Sequence, residues 1–356
     1  MPQKSLSSEL TFLLDYAIEH KASDLHIIAD ASPTIRVDGQ LVPIDKPAYT
    51  PAKSNEVVGD LIGAQLLERI TTNRKELDFS FSYEDLRFRC NVFYQKGVLA
   101  ASVRLLPNEV PKFEDLGVPA VATKMIQHNQ GLVIVSGPTG HGKSTTLAAM
   151  VNMIASERRG HIITIEDPIE YVFTHKKSII SQREVGSDTP SFASALRAAL
   201  REDPDVVLVG EMRDQETMEA ALQLAETGHL VLTTLHTNSA AQTADRIIDV
   251  FPPHQQSQVR VQLAEVLLGV ISQRLLPRTK GGRVLASEVL VANSAVRSIL
   301  REGKTHQLPN LIQTSAAEGM IGLDKSLAEL VGKGEVSVDD ALAWSLDPKA
   351  LKMMIY

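Results

Sequence analysis

The string Gly137-Pro138-Thr139-Gly140-His141-Gly142-Lys143-Ser144, continued by Thr145, is a complete P-loop match. It follows an apolar run, Leu132–Ser136, that reads as a strand, and it opens a helix, which is the context such a loop requires. The chemistry this predicts is phosphate binding. Glycines let the backbone curl until its N–H groups converge on phosphate oxygens, and the start of the helix adds a positive dipole end. Lys143 is placed to neutralise the β- and γ-phosphates of a nucleotide, and the Ser144 hydroxyl to ligate Mg²⁺. ATP and Mg²⁺ are therefore the expected cofactors.

Two further runs end in acids. ITIEDPIE places Glu166 and Glu170 at and just beyond a strand end, and DVVLVGE ends on Glu211. Ligands of open α/β sheets sit at the carboxyl ends of the strands, so these acids can polarise an attacking water or hold Mg²⁺ through water. The plainer alternative is that they cap the helices that follow. A generic Walker B strand ends in Asp, whereas here Gly210 precedes Glu211. His229 and His236 flank the run Leu230–Leu235. Seven residues apart on a strand, they lie at opposite ends and on opposite faces, so they do not share one metal. His236, at the carboxyl end, can hydrogen-bond a γ-phosphate; His229 has an equal claim to a structural role. Arg87, Arg89 and Arg104 sit on strands early in the chain. A cation supplied by a neighbouring subunit stabilises charge developing on a γ-phosphate, although each arginine alone also reads as ordinary surface solvation.

The elements around these residues divide the chain. Its 356 residues suit two domains. Residues 5–20 have a helical apolar period and are followed by strands at Ser23–Ile28, Thr34–Val37 and Gln40–Ile44, with an Asp38-Gly39 turn. A helix over 54–72 and three strands, Phe79–Tyr83, Leu86–Tyr94 and Val98–Leu106, complete an α+β domain over residues 1–106. Residues 107–119 (PNEVPKFEDLGVP) read as a linker. Residues 120–292 form an α/β domain. Its short apolar runs, Leu132–Ser136, His161–Glu166, Val206–Val209 and Leu230–Leu235, suit strands buried on both faces of a parallel sheet. A Gly281-Gly282 turn lies between two strand-like runs within Leu275–Val291. Residues 293–356 read as a helical subdomain.

Composition excludes several classes. One cysteine, Cys90, rules out an intrachain disulfide framework or a multi-cysteine metal site. Cys90 reads as a small core residue. Aromatics are 4% of residues, so the core must be aliphatic. No apolar run approaches the roughly 20 residues of a membrane span, and Met1-Pro2-Gln3-Lys4 does not lead into a signal-peptide core. A net charge of −7 gives no general push toward nucleic acid, and no nucleic-acid partner is expected.

Five blocks stand together in order: ASDLHI at 22–27, GPTGHGKST at 137–145, IEDPIEY at 165–171, LREDPDVVLVGEMRD at 200–214 and TGHLVLTTLHTNSA at 227–240. Together they closely resemble the type IV pilus retraction ATPases, the PilT/PilU branch of the secretion ATPase superfamily, over nearly the whole chain. The resemblance implies a PAS-like α+β N-terminal domain followed by a RecA-like P-loop ATPase domain with a C-terminal helical portion. It implies a homohexameric ATPase, cytoplasmic and peripheral at the inner membrane, that powers pilus retraction and twitching motility through an inner-membrane platform protein and works alongside other pilus motor ATPases. By position it makes Lys143 and Ser144 Walker A residues, Glu166 and Glu170 part of the Asp box, Glu211 the Walker B acid in this family's own Gly-Glu form, His229 and His236 the His-box pair, and the three arginines a phosphate-sensing set. The retraction motif AIRNLI is matched by Ala295-Val296-Arg297-Ser298-Ile299-Leu300. There, Val296, Ile299 and Leu300 form a stripe expected to pack on the ATPase domain. Arg297 is expected on a free flank, open to a partner and dispensable for folding. The rival readings are a DNA-translocating secretion ATPase and a non-catalytic nucleotide-binding regulator.

Overall fold

The computed structural model describes residues 6–37, 39–72, 76–84, 86–106 and 109–356. Met1–Lys4, Asp38 of the expected turn and Pro107 of the expected linker lie outside the described residues. The chain divides into two compact units, Met1–Glu109 with Glu170–Val172, and Val110–Ile169 with Phe173–Tyr356.

The first unit opens with α1 (Ser8–Glu19), whose Leu10, Leu13, Leu14 and Ala17 are buried, at the helical period seen in the sequence. Ser7 caps the helix by accepting from the Leu10 N–H. Six strands follow: β1 (Asp24–Ile27), β2 (Thr34–Val37), β3 (Gln40–Pro43), β4 (Glu76–Tyr83), β5 (Leu86–Gln95) and β6 (Val98–Leu105), with α2 (Pro51–Thr72, broken at Gly63) between β3 and β4. They form one antiparallel sheet in the order β3-β2-β1-β6-β5-β4. Along β5 the residues Phe88, Cys90 and Val92 are buried and alternate with more exposed positions, so one face of the sheet carries the core. Burial holds the Cys90 thiol far above its ordinary pKa, as fits an inert core residue. Arg87 and Arg89 lie on β5, and Arg104 on β6 stands directly opposite Arg89. Arg104 donates to Asp24 at 2.9 Å.

The second unit is a seven-stranded sheet in the order β13-β12-β7-β11-β10-β8-β9. Its strands are β7 (Gly131–Ser136), β8 (His161–Glu166), β9 (Ile179–Glu184), β10 (Val206–Val209), β11 (Leu230–Leu235), β12 (Leu267–Pro277) and β13 (Arg283–Val291). All neighbours are parallel except the β12–β13 hairpin. Strand β7 is buried along its whole length, with Leu132 and Ile134 in one core cluster and Val133 and Val135 in another, so both faces are covered. The helices are α3 (Val121–Ile126), α4 (Lys143–Glu157), α5 (Phe192–Ala199), α6 (Gln215–Glu226), α7 (Ala240–Asp249) and α8 (Pro253–Val266). A short 3₁₀ turn, Phe113–Leu116, buries Phe113 in this unit's core, so that part of the expected linker is packed structure.

Two strands exceed the sequence reading. Strand β9 is a half-polar edge strand with little apolar signal. Strand β12 begins at Leu267, immediately after α8 ends at Val266, so the helical and strand patterns run together without a turn residue between them.

Five helices complete the chain: α9 (Ser294–Glu302), α10 (Leu308–Thr314), α11 (Leu323–Gly332), α12 (Val338–Trp344) and α13 (Pro348–Ile355). In α9, Val296 and Leu300 are fully buried and Ile299 packs beside them, as the stripe predicts. Arg297 departs from expectation. Its guanidinium is not free on a flank. It donates to the carbonyls of Ala264, of Glu265 at 2.6 Å and of Leu267 at 3.1 Å. Those carbonyls lie at the end of α8, where a helix leaves acceptors without intrahelical partners, and a cation there also suits the helix dipole. Arg297 is a cross-element cap joining α9 to α8. Charged hydrogen bonds of this kind contribute about 2 kcal/mol, so Arg297→Ala should lower the unfolding free energy by about that amount in urea denaturation. A variant as stable as the parent protein would remove the capping role.

Candidate active site

Strand β7 ends at Ser136, between β11 and β12, where the chain's crossovers change direction. That is the switch point at which open α/β sheets bind ligands. The loop from Gly137 to Gly142 leaves this point and α4 begins at Lys143, so the amides of the first helical turn face the loop's hollow. Gly137 has φ +144°, and a Cβ there would stand 2.5 Å from the Gln273 carbonyl oxygen. Only glycine lets the loop rest this close to β12. His141 secures the loop at a second point, its Nδ1 accepting the Leu275 N–H at 2.9 Å. That bond requires an unprotonated Nδ1, and burial holds the His141 pKa below its usual value, which keeps it so.

Lys143 is 7% exposed. Its ammonium donates to the carbonyls of Gly137 and Pro138, each at 2.9 Å, and lies 3.5 Å from His236 Nδ1. The other ring nitrogen of His236 lies 3.5 Å from Glu211. Burial first, and then the Lys143 charge, hold the His236 pKa below 6.5. The ring is therefore neutral near pH 7. With an ammonium facing Nδ1, the proton belongs on Nε2, which faces Glu211. A single imidazole thus links the P-loop lysine to the acid beyond β10.

Glu211 is held from three sides. Gly210 donates to the Ile165 carbonyl at 2.8 Å, and the Thr234 hydroxyl donates to the Gly210 carbonyl. A Cβ on Gly210 would lie 3.3 Å from the Ile165 oxygen and 3.4 Å from Glu166 Cα. The Gly-Glu ending in place of Asp therefore has a steric reason: β10 leaves the sheet against the end of β8. On its free side Glu211 is paired with Arg213, a short contact. Sequence reasoning did not single out Arg213. Its signal was the i, i+2 spacing from Glu211 in GEMRD, which turns an arginine back toward the acid.

Glu166 ends β8. It is 8% exposed and accepts from the Thr164 hydroxyl at 2.6 Å and from Gln182 at 3.2 Å. Ser144, one residue into α4, and these two acids offer the hard oxygen donors that Mg²⁺ takes. Thr145 follows on the same first turn. The remaining residues are not in this cluster. His229 sits at the amino end of β11, where its Nδ1 and the Leu224 carbonyl are 3.0 Å apart at the end of α6. The phosphate loop is at the carboxyl end, so within one chain His229 serves the opposite edge of the sheet. Glu170 is exposed and belongs, with Arg87, Arg89 and Arg104, to the first unit.

The family model described as Type II/IV secretion system protein matches residues 3–341. This chain belongs to that family. It is a secretion ATPase with an intact P-loop. It is 45% identical over 334 residues to the type IV pilus retraction ATPase PilT of Pseudomonas aeruginosa, covering 94% of this chain and 97% of the relative. It is 48% identical over 319 residues to a twitching motility protein of Neisseria gonorrhoeae, covering 88% and 84%. A crystal structure of the pilus retraction motor PilT with bound ADP superposes with a TM-score of 0.90 at 49% identity, covering 97% of this chain and 98% of the other. The α/β architecture and its two-part arrangement are thus those of this family. Among the described residues no helix is long and apolar enough to cross a membrane.

The His236 environment of this secretion ATPase makes a signed prediction. By NMR titration His236 should titrate below 6.5. Lys143→Met removes a nearby cation and should raise that pKa. Glu211→Gln removes an anion and should lower it. Shifts of the opposite sign would break the assigned bridge.

Proposed function

We propose that this chain is the ATPase subunit of a homohexameric motor that retracts a type IV pilus, retraction being the activity for which its PilT relatives are named. The observation that supports it best is the Lys143–His236–Glu211 connection at the carboxyl ends of β7, β11 and β10, built in a chain so similar to retraction ATPases. Loop amides and Lys143 would bind the β- and γ-phosphates of ATP, with Lys143 exchanging the Gly137 and Pro138 carbonyls for phosphate oxygens. Ser144, Glu166 and Glu211 would hold Mg²⁺, which supplies charge neutralisation of the phosphates when bound. Glu211 would orient the attacking water and accept its proton, and the Nε2–H of His236 would follow the state of the γ-phosphate. Arg87, Arg89 and Arg104 would come from a neighbouring subunit to stabilise the leaving charge. The motor would act at the cytoplasmic face of the inner membrane, docked on a platform protein and alongside other pilus motor ATPases. Glu170 and His229 would then matter between subunits and not within one site.

Lys143→Ala should abolish ATP turnover in the folded protein. Glu211→Gln should still bind ATP but hydrolyse it on the order of a hundredfold more slowly, and Glu166→Gln should behave similarly. Wild-type turnover in Lys143→Ala would remove the P-loop assignment. Mixing Lys143→Ala chains with chains lacking the three arginines should restore partial activity if the site is shared. Full activity in a strictly monomeric preparation would refute sharing. In cells, deletion should leave pili that extend but do not retract.

A further inference from the structure

A chain of hydroxyls runs through the core beneath the phosphate loop. Ser136, the last residue of β7 before the loop, is fully buried and lies 2.6 Å from the Ser272 hydroxyl on β12. The Thr243 hydroxyl of α7, also fully buried, lies 3.2 Å from Ser136 Oγ. It also donates to the Ser239 carbonyl at 2.8 Å and lies 2.7 Å from the Thr237 hydroxyl. Thr237 is the residue after His236. The next residue on β12, Gln273, donates to Thr146 of α4 at 2.8 Å. The polar seam thus touches the phosphate loop at its stem and its helix, and reaches the segment that carries His236.

A buried hydroxyl costs free energy unless bonded and gains little when it is. Most of the side chains in the surrounding core clusters are aliphatic and carry no such cost. What hydroxyls add is direction: a hydrogen bond fixes distance and angle where apolar contact allows sliding. Distance matters here because Lys143 and His236 stand 3.5 Å apart, at the outer limit of a hydrogen bond, so a shift of a few tenths of an ångström makes or breaks the contact. Resting on the ATPase reading above, we propose that Thr243 is a positioning residue: its hydroxyl ties the His236 segment to the stem of the phosphate loop and sets the imidazole against Lys143.

The test compares Thr243→Val, which keeps the shape and removes the hydroxyl, with Thr243→Ser, which keeps the hydroxyl. In the assembled protein Thr243→Val should lower kcat about tenfold with KM for ATP within about twofold, since misplacement of an acting group affects the chemical step. Thr243→Ser should retain kcat. By NMR the His236 ring resonances should move in Thr243→Val, as the imidazole leaves its place beside Lys143, and stay unchanged in Thr243→Ser. This readout needs no hydrolysis, so failure of the ATPase reading would show separately, as an inactive parent protein. If Thr243→Val does not fold, Thr237→Val cuts the same chain at a half-buried position and carries the same expectations. An unchanged kcat and unmoved His236 ring resonances, or equal losses in the Val and Ser variants, would overturn the proposal.

Discussion

Lys143 is only 7% exposed, and an ammonium taken out of water is costly unless acceptors surround it. Much of the second unit's detail meets this need. The Gly137 and Pro138 carbonyls turn inward to accept from it, which requires the loop to bend against β12 where only glycine fits. The nearby acid is kept from a direct ion pair by an intervening neutral imidazole. Had Glu211 met Lys143 directly, the two charges would satisfy each other and a phosphate would have to break the pair to bind. With His236 between them and Arg213 on the other side of Glu211, each charge is satisfied by a partner that can exchange it.

Strand order places these groups. β7, β11, β10 and β8 are consecutive neighbours and parallel, so their carboxyl ends line up. The phosphate loop, His236, Glu211 and Glu166 follow those four ends in turn. Parallel strands buried on both faces cannot slide by one residue without moving every side chain into the opposite core, whose close packing it does not match. The register of the core therefore fixes the spacing of the site, and the side-chain bonds refine it.

How much of this the sequence shows depends on the range of the interaction. The phosphate loop, the four central strands and the acids at their ends are written in contiguous residues, because a buried parallel strand is an unbroken apolar run. Strand β12 was harder to see, since α8 passes into it without punctuation. The arginines were harder still. Arg297 and Arg213 look alike in sequence, charged residues near motifs, yet one is half-buried and caps the end of a helix while the other faces the acid from the surface. Only the tertiary partners separate them. The family resemblance named Arg297 as important; its physical setting, three carbonyls at the end of α8, was not legible from helical spacing, which predicts only which side of α9 is apolar.

The two ends of β7 have different tasks, and the strand joins them. At its carboxyl end it carries the phosphate loop. At its amino end the Gly131 N–H donates to the His229 carbonyl, and the Gly131 Cα lies where a Cβ would collide with the Leu268 side chain and the Val266 carbonyl. That is also where Arg297 fastens α9 to the end of α8. Six buried residues in a close-packed sheet transmit displacement and do not absorb it, because packing at crystal-like density leaves no room to give. Helix α9 and the capped end of α8 are therefore mechanically attached to the strand that holds the phosphate loop.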